Sequence, residues 1–298
     1  MDAITVARIL ERQFPKLAPV QAAYLGAGMD STAFEVNGKW IFRFPMRTAV
    51  EKQLFVERAL LPPLAPLLPI AIPAFEFDGR PDDDFAMHFA GYEKLPGTPA
   101  VEIDAARVSF DTIAAQLGQF LTVLHGFPTS EAKRLGAETS RLEDFFEEVR
   151  TSALDGLNLV GSVAPDTLSG RIQRYLESLE PLAAPPWPLT LTHNDLAAEH
   201  VLLHATGDRV TGVIDWGDVA VADPTVDFVG LFTWGGERLV RAVLASYEGP
   251  ADEQVLERVR PWAAFRAIQD IRFGLDSNLP EVVQLGVRAL KDQLGASR

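Results

Sequence analysis

Two acids and a histidine carry the clearest chemical signal in this chain. Asp195 and Asp215 each stand at the edge of an apolar, β-like run, and His200 follows Asp195 by five residues. The spacing predicts a short strand from Leu189 to His193, a second from Val201 to Leu203 and, after a tight Gly207-Asp208 turn, a third from Val210 to Ile214 that runs into Asp215. Both acids are therefore expected at strand-to-loop junctions on neighbouring strands, where rigid backbone holds side chains over open space. A loop carboxylate followed about twenty residues later by a second one suits phosphoryl transfer. One orients an attacking hydroxyl and accepts its proton, and the other holds Mg2+ on nucleotide phosphates. His200 is the natural second ligand on the metal side.

The elements that must position these groups are bounded first by composition. The 298 residues, 47% of them hydrophobic, can bury a large core and are long for one domain, so two lobes are expected. The chain has no cysteine, which excludes a disulfide framework or a thiolate metal site and fits a cytoplasmic protein. The N-terminal residues lack the pattern of a signal peptide, and the apolar window 60–75 is broken by prolines, so no membrane partner is expected. The net charge of -14 argues against nucleic acid. Most of it lies beyond residue 96, where 29 acids face 17 bases, and an acidic lobe around a cleft concentrates a cationic substrate.

Residues 1–96 read as a small β-rich nucleotide-binding lobe behind a helix near 3–13. Gly26, Gly28 and Ser31 lie in a turn between strands whose N–H groups and hydroxyl can cover phosphates. Asn37-Gly38 marks a type I′ hairpin, since both positions favour positive φ. On its second strand Trp40, Phe42 and Phe44 alternate with Ile41 and Arg43, so Arg43 points away from the aromatics and is placed to grip phosphates. Helical spacing over 50–60 puts Glu57 where it can pair with Arg43. The proline-rich run 61–73 reads as a stiff surface connection, 82–84 as a solvated acidic tip, and 86–95 as a strand ending in a Pro96-Gly97 hinge. Beyond it, helical periodicity covers 104–124, 142–154, 167–179, 237–247, 252–274 and 280–294, with Gly126 as a C-cap.

His193-Asn194-Asp195-Leu196 followed by His200, and Ile214-Asp215-Trp216-Gly217-Asp218 followed by Asp223-Pro224 and Asp227, resemble the motifs of the aminoglycoside phosphotransferase family over nearly the whole chain. The histidine at 200, where many members have asparagine, is similar to the aminoglycoside 2″-phosphotransferases and to macrolide kinases. The resemblance implies an α+β, bilobal protein-kinase-like fold with a small antiparallel-sheet lobe, a hinge at 92–97 and a larger, mostly helical lobe over 97–298 that carries the catalytic and substrate-binding site. It implies Asp195 as catalytic base, Asp215 and His200 as Mg2+ ligands, Arg43 in place of the usual lysine with Glu57 as its partner, and Glu93 and Leu95 presenting backbone to the nucleobase of ATP or GTP. Bulky Tyr92 would crowd adenine and favour GTP. A neutral imidazole is required at His200 for ligation, at the expense of activity at acid pH. Asp218 and then Glu237 are the expected contacts to a cationic antibiotic-like acceptor, while His193, Asp223 and Asp227 are expected to brace loops.

The expected activity is therefore transfer of a γ-phosphate to an aminoglycoside hydroxyl, conferring resistance, by a monomer or weak dimer. The alternatives are a macrolide 2′-phosphotransferase or a kinase of a choline- or sugar-like metabolite. A nucleotide-binding pseudokinase is opposed by the intact acid pair. A metallohydrolase on His193, His200 and Asp215 leaves the hairpin, Arg43 and Glu57 unexplained.

Overall fold

The computed structural model describes residues 1–28, 30–164 and 166–295. Helix α1 (Ala3–Gln13) is capped by Asp2, whose side chain accepts the Thr5 N–H at 2.8 Å, and buries Val6, Ile9 and Leu10 on one stripe. Arg8 and Arg12 on its other face grip Asp84 and Asp82 at 2.6 and 2.5 Å. The acidic run expected to be a bare solvated tip is thus a clamp on α1, and only Asp83 of the three is exposed.

Strands β1 (Ala22–Ala27), β2 (Ser31–Val36) and β3 (Trp40–Pro45) follow. The β2–β3 turn takes the expected form, with Asn37 and Gly38 at φ 54° and 64° and the Lys39 N–H on the Val36 carbonyl. Helix α2 (Thr48–Leu64) outruns its expected end and takes in Pro62 and Pro63. Strands β4 (Phe75–Gly79) and β5 (Phe89–Glu93) complete an antiparallel sheet in the order β1-β2-β3-β5-β4. Its inner face carries Phe34, Phe42, Phe44, Phe77 and Phe89 against α1. β5 is shorter than its expected span at both ends, and ahead of it the Asp82 carboxylate turns the chain, accepting the N–H groups of Asp84 and Phe85.

The proline-rich run is not a surface connection. Leu61, Leu64, Ile70 and Ile72 are buried in the core of the C-terminal lobe, and the Ala71 carbonyl accepts the Val213 N–H at 2.9 Å. Apolar residues between the prolines override the turn signal because they have a core to enter.

Beyond β6 (Thr98–Pro99) come α3 (Phe110–His125), α4 (Thr129–Arg134), α5 (Leu142–Asp155), α6 (Leu157–Val163) and α7 (Asp166–Glu177). α3 begins later than expected, since 105–107 form a separate 3-10 turn, and Gly126 closes it at an ordinary φ of -80°. Four short strands follow, β7 (Thr190–Thr192), β8 (Val201–Leu203), β9 (Val210–Val213) and β10 (Ala220–Ala222). β7 pairs with β10, and β8 lies between β6 and β9. The two acids therefore follow strands of different sheets, not neighbouring strands.

Helices α8 (Val226–Leu244), α9 (Val255–Asp276) and α10 (Pro280–Gly295) pack against one another to close the chain. The first half of α8 escapes sequence reading because it is apolar nearly all round and so shows no amphipathic period. It kinks at Gly236, φ 67°. No helix among the described residues is long and apolar enough to cross a membrane.

Candidate active site

The turn after β7 is held from below by Asp227. Its carboxylate accepts the His193 N–H at 3.0 Å and the Asn194 N–H at 2.8 Å, while its Oδ2 also meets His125 Nε2 at 3.0 Å. His125 in turn contacts the Tyr247 hydroxyl at 2.6 Å. Asn194 is thereby kept at φ 69°, a left-handed conformation that asparagine tolerates better than most residues, and Asp195 projects from the next position. Gly230 lets α8 come this close: a Cβ there would meet the Leu196 carbonyl at 2.3 Å.

His193 braces the loop as expected. Fully buried, it bonds the Ile214 carbonyl through Nε2 at 3.0 Å, and its Nδ1 accepts the Asp195 N–H at 3.3 Å. Burial pushes its pKa down, against the pull of Asp227, so the ring is neutral at pH 7. One imidazole thus ties the start of the Asp195 loop to the end of β9. Trp216, fully buried, packs on that ring at 4.7 Å. Asp223 is a second brace, accepting from Trp187 Nε1 at 2.8 Å and from Arg258 at 2.7 Å.

His200 joins the two acids. Its Nδ1 lies 2.8 Å from the Asp195 carbonyl and 3.4 Å from the Asp195 carboxylate, and its Nε2 lies 3.6 Å from Asp215. The Ile214 N–H on the His200 carbonyl, 2.9 Å, fixes the distance between the segments. Asp215 adopts φ 62°, again in the left-handed region. Its other oxygen meets Arg43 Nη2 at 2.9 Å, and Arg43 Nη1 bonds Glu57 at 2.7 Å, so the cation on β3 and the acid on α2 pair as the sequence implied.

The charges are unbalanced. Burial raises the Glu57 carboxyl to about 7 against the attraction of Arg43, and Asp215 and Asp218 add to the rise. Arg43 itself is held charged by Glu57 and Asp215 despite its burial. Asp218 is pushed up to about 6 by desolvation, Asp195, Asp215 and Asp30. Against its burial, Asp215 itself is held low by Arg43 and His200, so its oxygens are ionised donors that fit a cation. Also against burial, Asp195, Glu199 and Asp215 raise His200, whose Nε2 fits a cation only once the ring has lost its proton. No group of three or more such side chains is assembled for a metal among the described residues. Mg2+ requires none, since it takes one or two protein ligands and completes its shell with water and phosphate.

The remaining expected residues make their contacts outside this cluster. Gly26 and Gly28 have open space where a Cβ would lie, and the Gly28 N–H bonds the Ser31 carbonyl, closing the β1–β2 turn. Met29 lies outside the described residues. Glu93 is exposed at the end of β5, Leu95 is half-buried and touches the Gly212 position, and Tyr92 is buried. Glu237 does not present a free carboxylate: Arg260 and Arg241 hold it at 2.6 and 2.7 Å, and their charges neutralise it.

Residues 22–262 match the Phosphotransferase enzyme family. The chain belongs to this family. Among relatives, the uncharacterized protein YcbJ of Bacillus subtilis (strain 168) is 28% identical over 84% of this chain and 82% of its own length. Viomycin phosphotransferase of Streptomyces vinaceus is 28% identical over 56% of each chain. A solved structure of APH(2")-IIia with GDP and kanamycin superposes with a TM-score of 0.77 at 25% identity, covering 99% of this chain and 100% of that one. The macrolide 2'-phosphotransferase MphH of Brachybacterium faecium shares the fold, with a TM-score of 0.61 at 22% identity over 97% of both chains. The protein-kinase-like fold is thereby established.

One residue bonded to Asp195 was invisible in the sequence. Arg266 on α9 reaches back 71 positions to the Asp195 carboxylate, and also holds Glu199 and, at 2.6 Å, Asp270. Burial would raise Asp195, yet Arg266, His200 and His193 hold it near 2. An arginine inside a long helix carries no motif, so only folding shows that it faces the loop.

Proposed function

We propose that this phosphotransferase moves the γ-phosphate of ATP or GTP to a hydroxyl of an antibiotic-type small molecule in the cytoplasm, with aminoglycosides and macrolides as the acceptor classes to test. The observation that carries the reading is the convergence of Asp195 and Asp215 on opposite edges of the His200 ring, with Arg43 and Glu57 beside Asp215. Asp215 and His200 would hold Mg2+, which supplies charge neutralisation on the phosphates.

Arg43 pairs with phosphate oxygens while Glu57 keeps its guanidinium in place. The Gly26–Ser31 turn covers the phosphates, and backbone of Glu93 and Leu95, in a hinge at 92–97, meets the base. Asp195 accepts a hydrogen bond from the acceptor hydroxyl and aims its oxygen at phosphorus. Against its burial, Arg266, His200 and His193 keep it ionised, as accepting this bond requires. Asp218, beside the same cleft, remains the candidate acid for an acceptor amine.

A macrolide-like acceptor is the second reading, favoured by the apolar walls of the cavity at Asp195. The test is turnover of ATP and of GTP with Mg2+ by purified protein, against aminoglycosides and macrolides, with Asp195→Ala as control. Acceptor-stimulated transfer that drops by roughly 100-fold or more in the variant is expected. Transfer undiminished in Asp195→Ala would sink the mechanism, and stimulation by neither class would remove the antibiotic reading. A lower KM for ATP than for GTP would count against a role for Tyr92 in donor choice.

A further inference from the structure

We propose that Arg266 is a specificity-determining residue that closes the acceptor pocket to polycations, so that the pocket takes an alcohol with an apolar body and at most one positive charge. This rests on reading Asp195 as the residue that receives the acceptor hydroxyl.

A cavity of about 200 Å³ opens beside Asp195, between α5, the Asn194–Leu196 turn, α8 and α9. Its walls include Leu142, Val149, Val229, Trp262 and Phe265. The polar side chains on its lining are Asn194, Asp195, Arg266 and Gln269. That volume holds about one ring of a substrate, and most of what the ring touches is apolar.

A polyamine acceptor needs unpaired carboxylates around it, one for most of its ammonium groups. Here the carboxylates on and next to the cavity are already engaged. Asp195, Glu199 and Asp270 all bond the one guanidinium of Arg266, which is less than a quarter exposed at 23%. Asp223 and Asp227 are fully buried and bonded to Arg258 and the loop, and Glu237 is held by two arginines. The one carboxylate on the cavity lining, Asp195, and its neighbours Glu199 and Asp270 are therefore not offered free to a group inside the cavity, and Asp218 lies outside that lining. An ammonium entering beside Asp195 meets a carboxylate already bonded to Arg266, a like charge, and its neighbours meet leucine, valine and tryptophan, which offer it no hydrogen-bond acceptor. An apolar ring meets walls that suit it, and a single amine can stay at the mouth in water.

The test uses the full-length protein titrated calorimetrically with erythromycin, an apolar ring with one amine, and with kanamycin, a polyamine. Erythromycin is expected to bind at least about 10-fold more tightly, a difference of about 1.4 kcal/mol. Arg266→Gln should narrow that ratio at least about 10-fold by gaining kanamycin. Val149→Asp, on a half-buried wall position with Arg266 intact, should narrow it by losing erythromycin, and it decides the matter if Arg266→Gln does not fold. Tighter binding of kanamycin by the unaltered protein, binding of neither compound, or equal losses of both in Arg266→Gln overturns the proposal. Binding in the expected order without phosphate transfer would leave the pocket assignment standing and defeat the kinase reading alone.

Discussion

The Asp227 carboxylate, on the first turn of α8, accepts the N–H of Asn194 at 2.8 Å and so fixes the residue immediately before Asp195. A side chain 32 positions downstream thereby sets the direction in which the Asp195 carboxylate points. Removing it in Asp227→Ala leaves two buried N–H groups and the His125 ring without their acceptor. The expected cost is about 3 kcal/mol or more of stability, read as a lower denaturation midpoint, together with a fall in kcat larger than any change in nucleotide KM. An unchanged kcat in the folded fraction would show that the loop holds its shape without Asp227.

Arg43 and Glu57 make a buried pair, and the two ways of altering Arg43 separate charge from fork geometry. Arg43→Gln strands Glu57, which is 1% exposed, and is expected to destabilise the fold by about 3–5 kcal/mol. Arg43→Lys keeps a cation for Glu57 or for Asp215 but cannot bridge both with a planar fork. It should lose less stability and raise the KM for nucleotide. Thermal denaturation and initial rates distinguish the two, and equal melting temperatures would refute the pairing argument.

Gly230 tests whether helix approach, as well as hydrogen bonding, holds the loop. A Cβ would lie 2.3 Å from the Leu196 carbonyl and 2.7 Å from the Ala197 Cβ, neither of which belongs to a flexible side chain. Gly230→Ala should therefore push α8 and the Asp195 loop apart, costing about 1–3 kcal/mol and lowering kcat. A melting temperature at or above that of the parent would mean the contact relaxes freely.

The clamp between α1 and the 82–84 run sets an acid limit on stability. Desolvation would raise Asp82, but bonds from Arg12, Gln13 and two backbone N–H groups bring it down to about 2, from 3.8 in the unfolded chain. A carboxylate depressed on folding contributes stability that is complete above its unfolded pKa and disappears as pH falls through its folded value. The contribution is thus present above about pH 4 and lost between there and pH 2. Urea midpoints taken across that range should fall more steeply for the parent than for Asp82→Asn. Parallel curves would assign the acid sensitivity elsewhere.

Local signals determined much of this protein. Asn37-Gly38 dictated its turn because both residues accept positive φ, and alternation along β3 put Arg43 on the face opposite the aromatics, toward Glu57 and Asp215. The spacing of Asp195, His200 and Asp215 was legible because a strand, a turn and a strand return the chain to the same place over a short distance. What remained hidden depended on partners far along the chain. The buried end of α2 and the engaged tip at 82–84 gave misleading surface or turn signals, and the buried first half of α8 gave no period, since burial is decided by what else is present to cover a residue. Glu237 looked like a free acid until Arg241 and Arg260 were placed beside it. Arg266 had no signal at all, yet it contacts Asp195. The residue types and their short spacing determined the phosphoryl-transfer chemistry. Only the tertiary structure, by bringing α9 across the Asp195 loop, decided how much of the lobe's negative charge an acceptor meets, because charges act through space and their neighbours are set by packing.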